Sequence, residues 1–249
     1  MIDFNRPAFT GKEFEYIQDA VNRGMLCGDG IYTKKCSAWM EERFHVGHVM
    51  LTTSCTHALE MAAYLSEIQP GDEVITFAPY FPEYQPYVNG TGAHLTVVPA
   101  DTENFQINFD AFEKALNPGT AAVLINTPNN PSGAVYSAET LTRLAEVLNA
   151  KQTEYGHDIF LIAVVVIARG VCVPVNGRAV TVGGKIGGQS SQKRIEGAII
   201  IAVFQVRKGA FADLLNAVVR QGIDSVSLGG NVPVPFLHGQ KEYHAVICI

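Results

Sequence analysis

The chain has 249 residues, 47% of them hydrophobic and 17% charged, with a formal net charge of −6. That length can bury a sizeable core, as one large domain or two small ones, and the acidic balance without a polybasic run argues against an electrostatic nucleic-acid binder. Five cysteines, an odd number without paired spacing, argue against a disulfide framework and a zinc site.

From the amino terminus, MIDFNRPAFTGKEF lacks the apolar core of a secretion signal, so a cytoplasmic protein is expected. GKEFEYIQDAVNRG places Phe14, Ile17, Ala20 and Val21 at helical spacing and stops at Gly24. TKKCSAWMEERF predicts a second helix with Ala38, Trp39 and Phe44 on its apolar face. HVMLTT reads as a short buried strand, and Ser54 to Thr56 open the helix HALEMAAYLSEI. Next come a turn and strand in PGDEVITFAP, a strand in HLTVVPAD and a helix in FDAFEKAL, where Asp110 and Glu113 are spaced like a capping pair. AAVLINT is a further strand, and SAETLTRLAEVLNAKQ a helix capped by Ser137. The apolar run IFLIAVVVIA, Ile159 to Ala168, is too short to span a bilayer and suits a buried strand.

Alternating strands and helices predict an α/β fold, a three-layer sandwich around a mostly parallel sheet. Beyond residue 162 the pattern weakens. GVCVPVNGRAVTVGGK suggests two short strands around an Asn-Gly turn, GAIIIAVFQV a strand, GAFADLLNAVVRQG a helix, and YHAVICI a terminal strand. Charge changes at the same place. Residues 1–162 hold 9 Lys+Arg against 20 Asp+Glu (net −11), and residues 163–249 hold 9 against 4 (net +5). A domain boundary or a join between segments is therefore expected just after Ile162.

In a parallel sheet, ligands bind outside the carboxyl ends of the strands. Three loops fall there. In TTSCTHALEMAA, Ser54, Cys55 and Thr56 start a helix, where free N–H groups favour an anion, although plain capping is the commoner use of such residues. In FAPYFPEY, Phe81 can stack on a flat ring or plug the core beside Tyr80 and Tyr84. INTPNNPSGAVYS puts the amide of Asn130 directly before Pro131, which forces Asn130 toward extended backbone. Turn chemistry and a donor aimed at a ligand are both open readings.

Taken together, these loops carry a resemblance. Residues Pro70 to Ile162, with PGDEVITFAPYFPEYQPY, VLINTPNNPSGAVYS and DIFLI, resemble the cofactor domain of class I/II aminotransferases, fold-type I enzymes that depend on pyridoxal phosphate. Residues 1–77, through LCGDGIYTKKCSAWMEERF and LTTSCTHALEMAAYLSEIQPGDEVI, look more like the DegT-type sugar-nucleotide aminotransferases of the same fold. The resemblance implies that Ser54, Cys55 and Thr56 hold the cofactor phosphate, that Phe81 stacks on its ring, and that Asn130 donates to its phenolic oxygen. It also implies a homodimer and transfer of an amino group, from glutamate as donor, to a 2-oxo acid or, alternatively, to a keto sugar nucleotide.

Two expected parts do not match. Where the family carries an aspartate for the ring nitrogen, this chain has Val164, and Ile167 stands where a tyrosine is expected. The catalytic lysine falls nearest to Lys185 and the phosphate-binding arginine to Arg194, but the expected serine is absent from GGKIGGQSSQKRIEGAI and the spacing is one residue too long. A non-catalytic relative is thus a further reading. The domain expectation is a cofactor domain over 1–162, with residues 1–47 as a helical arm, followed by an unassigned basic, Gly/Val-rich α/β segment over 163–249.

Overall fold

The computed structural model describes residues 11–44, 47–101, 103–169, 172–175, 178–181, 196–205 and 243–248. In chain order they form α1 (Glu13–Asn22), α2 (Ile31–Phe44), β1 (His48–Thr52), α3 (Cys55–Leu65), β2 (Glu73–Phe77), α4 (Tyr84–Gly90), β3 (His94–Val98), α5 (Phe109–Ala115), β4 (Thr120–Thr127), α6 (Ala138–Tyr155), β5 (Phe160–Arg169), β6 (Cys172–Val175), β7 (Arg178–Thr181), β8 (Glu196–Gln205) and β9 (Tyr243–Cys248). The helix expected over residues 209–222 lies outside the described residues. Among those described, no helix is long and apolar enough to cross a membrane.

Seven strands make one sheet in the order β1-β9-β8-β5-β4-β2-β3. β1 pairs with β9 in parallel, as do β2 with β3, β2 with β4, and β4 with β5. β8 runs antiparallel to both of its neighbours, β5 and β9. All the other strands of this sheet therefore point the same way, and the mostly parallel α/β expectation holds. β5 runs unbroken across residue 162, and β6 and β7 form a separate antiparallel pair.

Side chains alternate across each strand, so each face of the sheet builds its own core. On one face, Ile75, Val123, Ile125 and Leu161 pack with Phe112 of α5 and Leu141, Leu144 and Leu148 of α6. On the other, Val74, Leu124, Ile162 and Val164 pack with Ala58 and Ala62 of α3 and Tyr84 of α4. The alanines sit four residues apart, on one stripe of α3, and leave room for close approach to the sheet. Each fully buried Leu or Ile contributes roughly 1.5–3 kcal/mol relative to exposure, which is why the alternating runs settle into this sandwich.

Local signals end the helices. Ser54 and Ser137 cap α3 and α6, their hydroxyls accepting from His57 N and Thr140 N. α6 stops at Gly156, whose φ of 78° suits glycine. For α5 the capping residue is Asn108, which accepts from Ala111 N, rather than Asp110. Burial of Phe109 and Phe112 sets the helix frame two residues earlier, and Asn108 is then the side chain in reach.

The amino-terminal helices form as the periodicity predicts but present other faces. α2 buries Met40 (8% exposed) in the core, while Ala38 is exposed and Trp39 is 58% exposed. Phe14, Ile17 and Val21 of α1 are all largely exposed. α1 instead meets α2 through the Tyr16 and Tyr32 rings, 5.1 Å apart, and through the Tyr32 hydroxyl, which donates to Asp19 (2.9 Å).

Candidate functional site

The loops after β1, β2 and β4 leave the same edge of the sheet because their strands are parallel. In the first, the Thr52 hydroxyl donates to the Ser54 carbonyl (3.0 Å), and Ser54 Oγ accepts from His57 N (3.1 Å). Ser54 is thus a working cap whose hydroxyl proton has no acceptor among the described residues. Behind it, the first turn of the 11-residue helix α3 directs N–H groups and the positive end of its dipole at the sheet edge. Thr56 Oγ1 meets the Tyr87 hydroxyl at 3.2 Å, which ties this turn to α4.

The second loop delivers Phe81, half-buried, its ring edge-on to Tyr84 with centroids 5.6 Å apart. Phe81, Cys55, Tyr80 and Tyr87 all pack against the cluster that contains Val164. Burial, helped by Cys55 and the neighbouring tyrosines, pushes the Tyr84 phenol far above its usual range, so it stays neutral.

The third loop answers which of its asparagines make the turn. Asn129 Oδ1 accepts from Ser132 N (3.1 Å) and Ser132 Oγ (2.8 Å), and Asn129 O accepts from Gly133 N (2.7 Å). Gly133 has a φ of 71°, a conformation that favours glycine. Asn130 plays no such part. Its backbone N–H donates to Asn126 Oδ1 (2.6 Å), whereas its own carboxamide is exposed and makes no hydrogen bond among the described residues.

Sequence reasoning missed Asn126. It is buried (5% exposed) in register with Val164 across β4 and β5, and its Nδ2 donates to the Val164 carbonyl (3.0 Å). Its one visible signal is a polar residue on the same strand face as Leu124, inside a run otherwise apolar on that face. Tyr87 was missed as well, because helix α4 was not expected. Of the described site residues, Cys55 and Phe81 pack against the apolar cluster that holds Val164 of β5, and Asn130 is tied to the Val164 carbonyl through Asn126, whereas Ser54 bonds within its own turn and Thr56 to Tyr87. Lys185 and Arg194 lie outside the described residues. Val164 itself is 5% exposed and offers only aliphatic carbon.

Residues 32–154 match the family model for aminotransferase class I and II. A probable N-succinyldiaminopimelate aminotransferase, DapC, of Mycobacterium tuberculosis is 34% identical over 148 residues, covering 55% of this chain and 37% of that protein. The aspartate/prephenate aminotransferase of Nitrosomonas europaea is 44% identical over 85 residues, covering 34% of this chain and 21% of its own. The chain therefore spans well under half the length of these curated relatives. The solved structure of N-succinyldiaminopimelate aminotransferase from Mycobacterium tuberculosis aligns over 86% of this chain and 57% of its own, with a TM-score of 0.50 and 23% identity, a likeness of fold. Residues 32–154, which hold all three loops, carry an aminotransferase class I and II domain match that ends just before β5.

Proposed function

We propose that the protein is a pyridoxal-phosphate-dependent aminotransferase that moves an amino group from an amino acid, glutamate, to a 2-oxo acid. The observation that carries this reading is that three loops leave the same edge of the parallel sheet, with a helix start, an aromatic ring and an unspent amide among them. The amino- and keto-acid chemistry in the relatives' names supports a 2-oxo acid over the keto sugar nucleotide implied by residues 1–77. The sheet order and the likeness of fold support the α/β frame on which this chemistry rests.

The residues present fit most of the cofactor. Ser54, Cys55 and Thr56 would take its phosphate, Phe81 would cover a ring face and exclude water, and Asn130 would donate to its phenolic oxygen. When bound, the cofactor supplies an electron sink for the carbon that loses a proton during amino transfer. The fit fails at the ring nitrogen, because Val164 holds no charge where a carboxylate is needed. A second reading, a protein that keeps the cofactor cradle with little turnover, is favoured by that one residue. Under the aminotransferase reading, Lys185 would move the proton and Arg194 would add a phosphate contact. The active unit is a cytoplasmic homodimer, and residues 1–162 carry the cofactor loops, with residues 163–249 completing the same sheet through β8 and β9.

The test is a titration of the purified chain with pyridoxal phosphate, followed by visible absorbance before and after borohydride reduction. Saturable binding, and slow transfer from glutamate to a 2-oxo acid, are expected. Absence of any binding would sink the proposal, whereas binding without transfer would select the second reading.

A further inference from the structure

We infer that Asn126 is a positioning residue for Asn130, an inference that rests on the cofactor reading above. The orientation of its carboxamide follows from its partners. The Asn130 N–H can only donate and the Val164 carbonyl can only accept, so Oδ1 must face the first and Nδ2 the second. One buried side chain thereby links the end of β4, the third loop and the centre of β5.

The consequence lies in what this link leaves unspent. The loop is closed around Asn129 and Ser132, and Thr127 Oγ1 accepts from Tyr136 N (3.2 Å) at its far end. None of these bonds uses the carboxamide of Asn130. Asn126 takes only its backbone N–H, and so sets where the Asn130 side chain starts without consuming its donor. A turn built for shape alone would not need a buried amide reaching across to the neighbouring strand. The same bond makes the Asn130 backbone responsive to β5, because any shift of the Val164 carbonyl acts on both ends of one rigid amide plane.

A double-mutant cycle on the full chain tests this, with pyridoxal phosphate as the titrated probe. Asn126→Ala should weaken binding about fivefold to tenfold through loss of the hydrogen bond that holds Asn130. Asn130→Ala should weaken it more, and the double variant should bind no worse than Asn130→Ala alone, since Asn126 acts through that residue. Asn126→Asp keeps an acceptor for the Asn130 N–H but sets an oxygen against the Val164 carbonyl, so it should recover part of the affinity that Asn126→Ala loses while lowering stability. Amide hydrogen exchange at Asn130 supplies a readout independent of the cofactor: protection in the parent, lost in Asn126→Ala and kept in Asn126→Asp. Additive losses in the cycle, or unchanged exchange at Asn130, would overturn the inference while leaving the cofactor reading intact. If Asn130→Ala binds as tightly as the parent, the assignment of Asn130 to the cofactor fails, and the positioning role falls with it.

Discussion

At the amino edge of the sheet, the Glu73 carboxylate accepts from Thr96 (2.6 Å), Asn117 (2.8 Å) and Thr120 (2.7 Å), joining the starts of β2 and β4 to β3. At the carboxyl edge, Asn126 does a similar joining job, yet Asn130 beside it keeps its carboxamide exposed and unengaged among the described residues. Both edges tie strands together with buried or half-buried polar side chains. One consumes its polar groups in doing so, and the other holds a donor in place without consuming it. Polar groups spent on strands contribute to stability; groups held but unspent are available to a ligand. The two edges should therefore respond differently to substitution.

The largest expected effect is at the foot of the carboxyl edge. Val164→Asp would put a carboxylate where the chain has only aliphatic carbon. A preorganised charge partner of this kind is typically worth roughly a hundredfold to a thousandfold in rate, so turnover from glutamate should rise by about that amount. Apo stability should fall, because an unpaired buried carboxylate is costly. Robust turnover in the unaltered chain would show that another acid already serves.

At the amino edge, Glu73→Ala removes the common acceptor of three donors. A loss of about 2–4 kcal/mol in urea unfolding is expected, with cofactor affinity unchanged in the folded protein. Asn130→Ala should do the reverse. It forfeits one charge-assisted hydrogen bond to the ligand, on the order of 1.5–3 kcal/mol of binding, while the unfolding midpoint stays put. If both variants lowered stability and neither changed affinity, the contrast between the edges would collapse.

The smallest effect sharpens where the comparison ends. With the change of charge after Ile162, limited proteolysis is expected to cut near Gly183 to Gly188 before it cuts residues 11–162. Uniform resistance along the chain would remove the proposed division.

Much of this architecture was legible in the residues themselves. The short apolar runs in AAVLINT and EVITF, and the caps at Ser54 and Ser137, depend on neighbours within a few positions, so local sequence suffices to find them. The asparagine, serine and glycine of the third loop announced a turn for the same reason. Tertiary packing decided the rest. Periodicity places Trp39 and Met40 on adjacent stripes of α2, and only the docked sheet chose Met40. FDAFEKAL fits a capping pair from Asp110, but burial of Phe109 and Phe112 moved the cap to Asn108. Strand order could not be read either, since β9, from the end of the chain, pairs with β1 near its start. Asn126 shows the reason most plainly. Its partners are Asn130, four residues away, and Val164, thirty-eight residues away, and the second becomes a neighbour only when β4 and β5 fall into register. A bond that closes within one turn of chain is written in local sequence; one that crosses strands exists only once the sheet has formed.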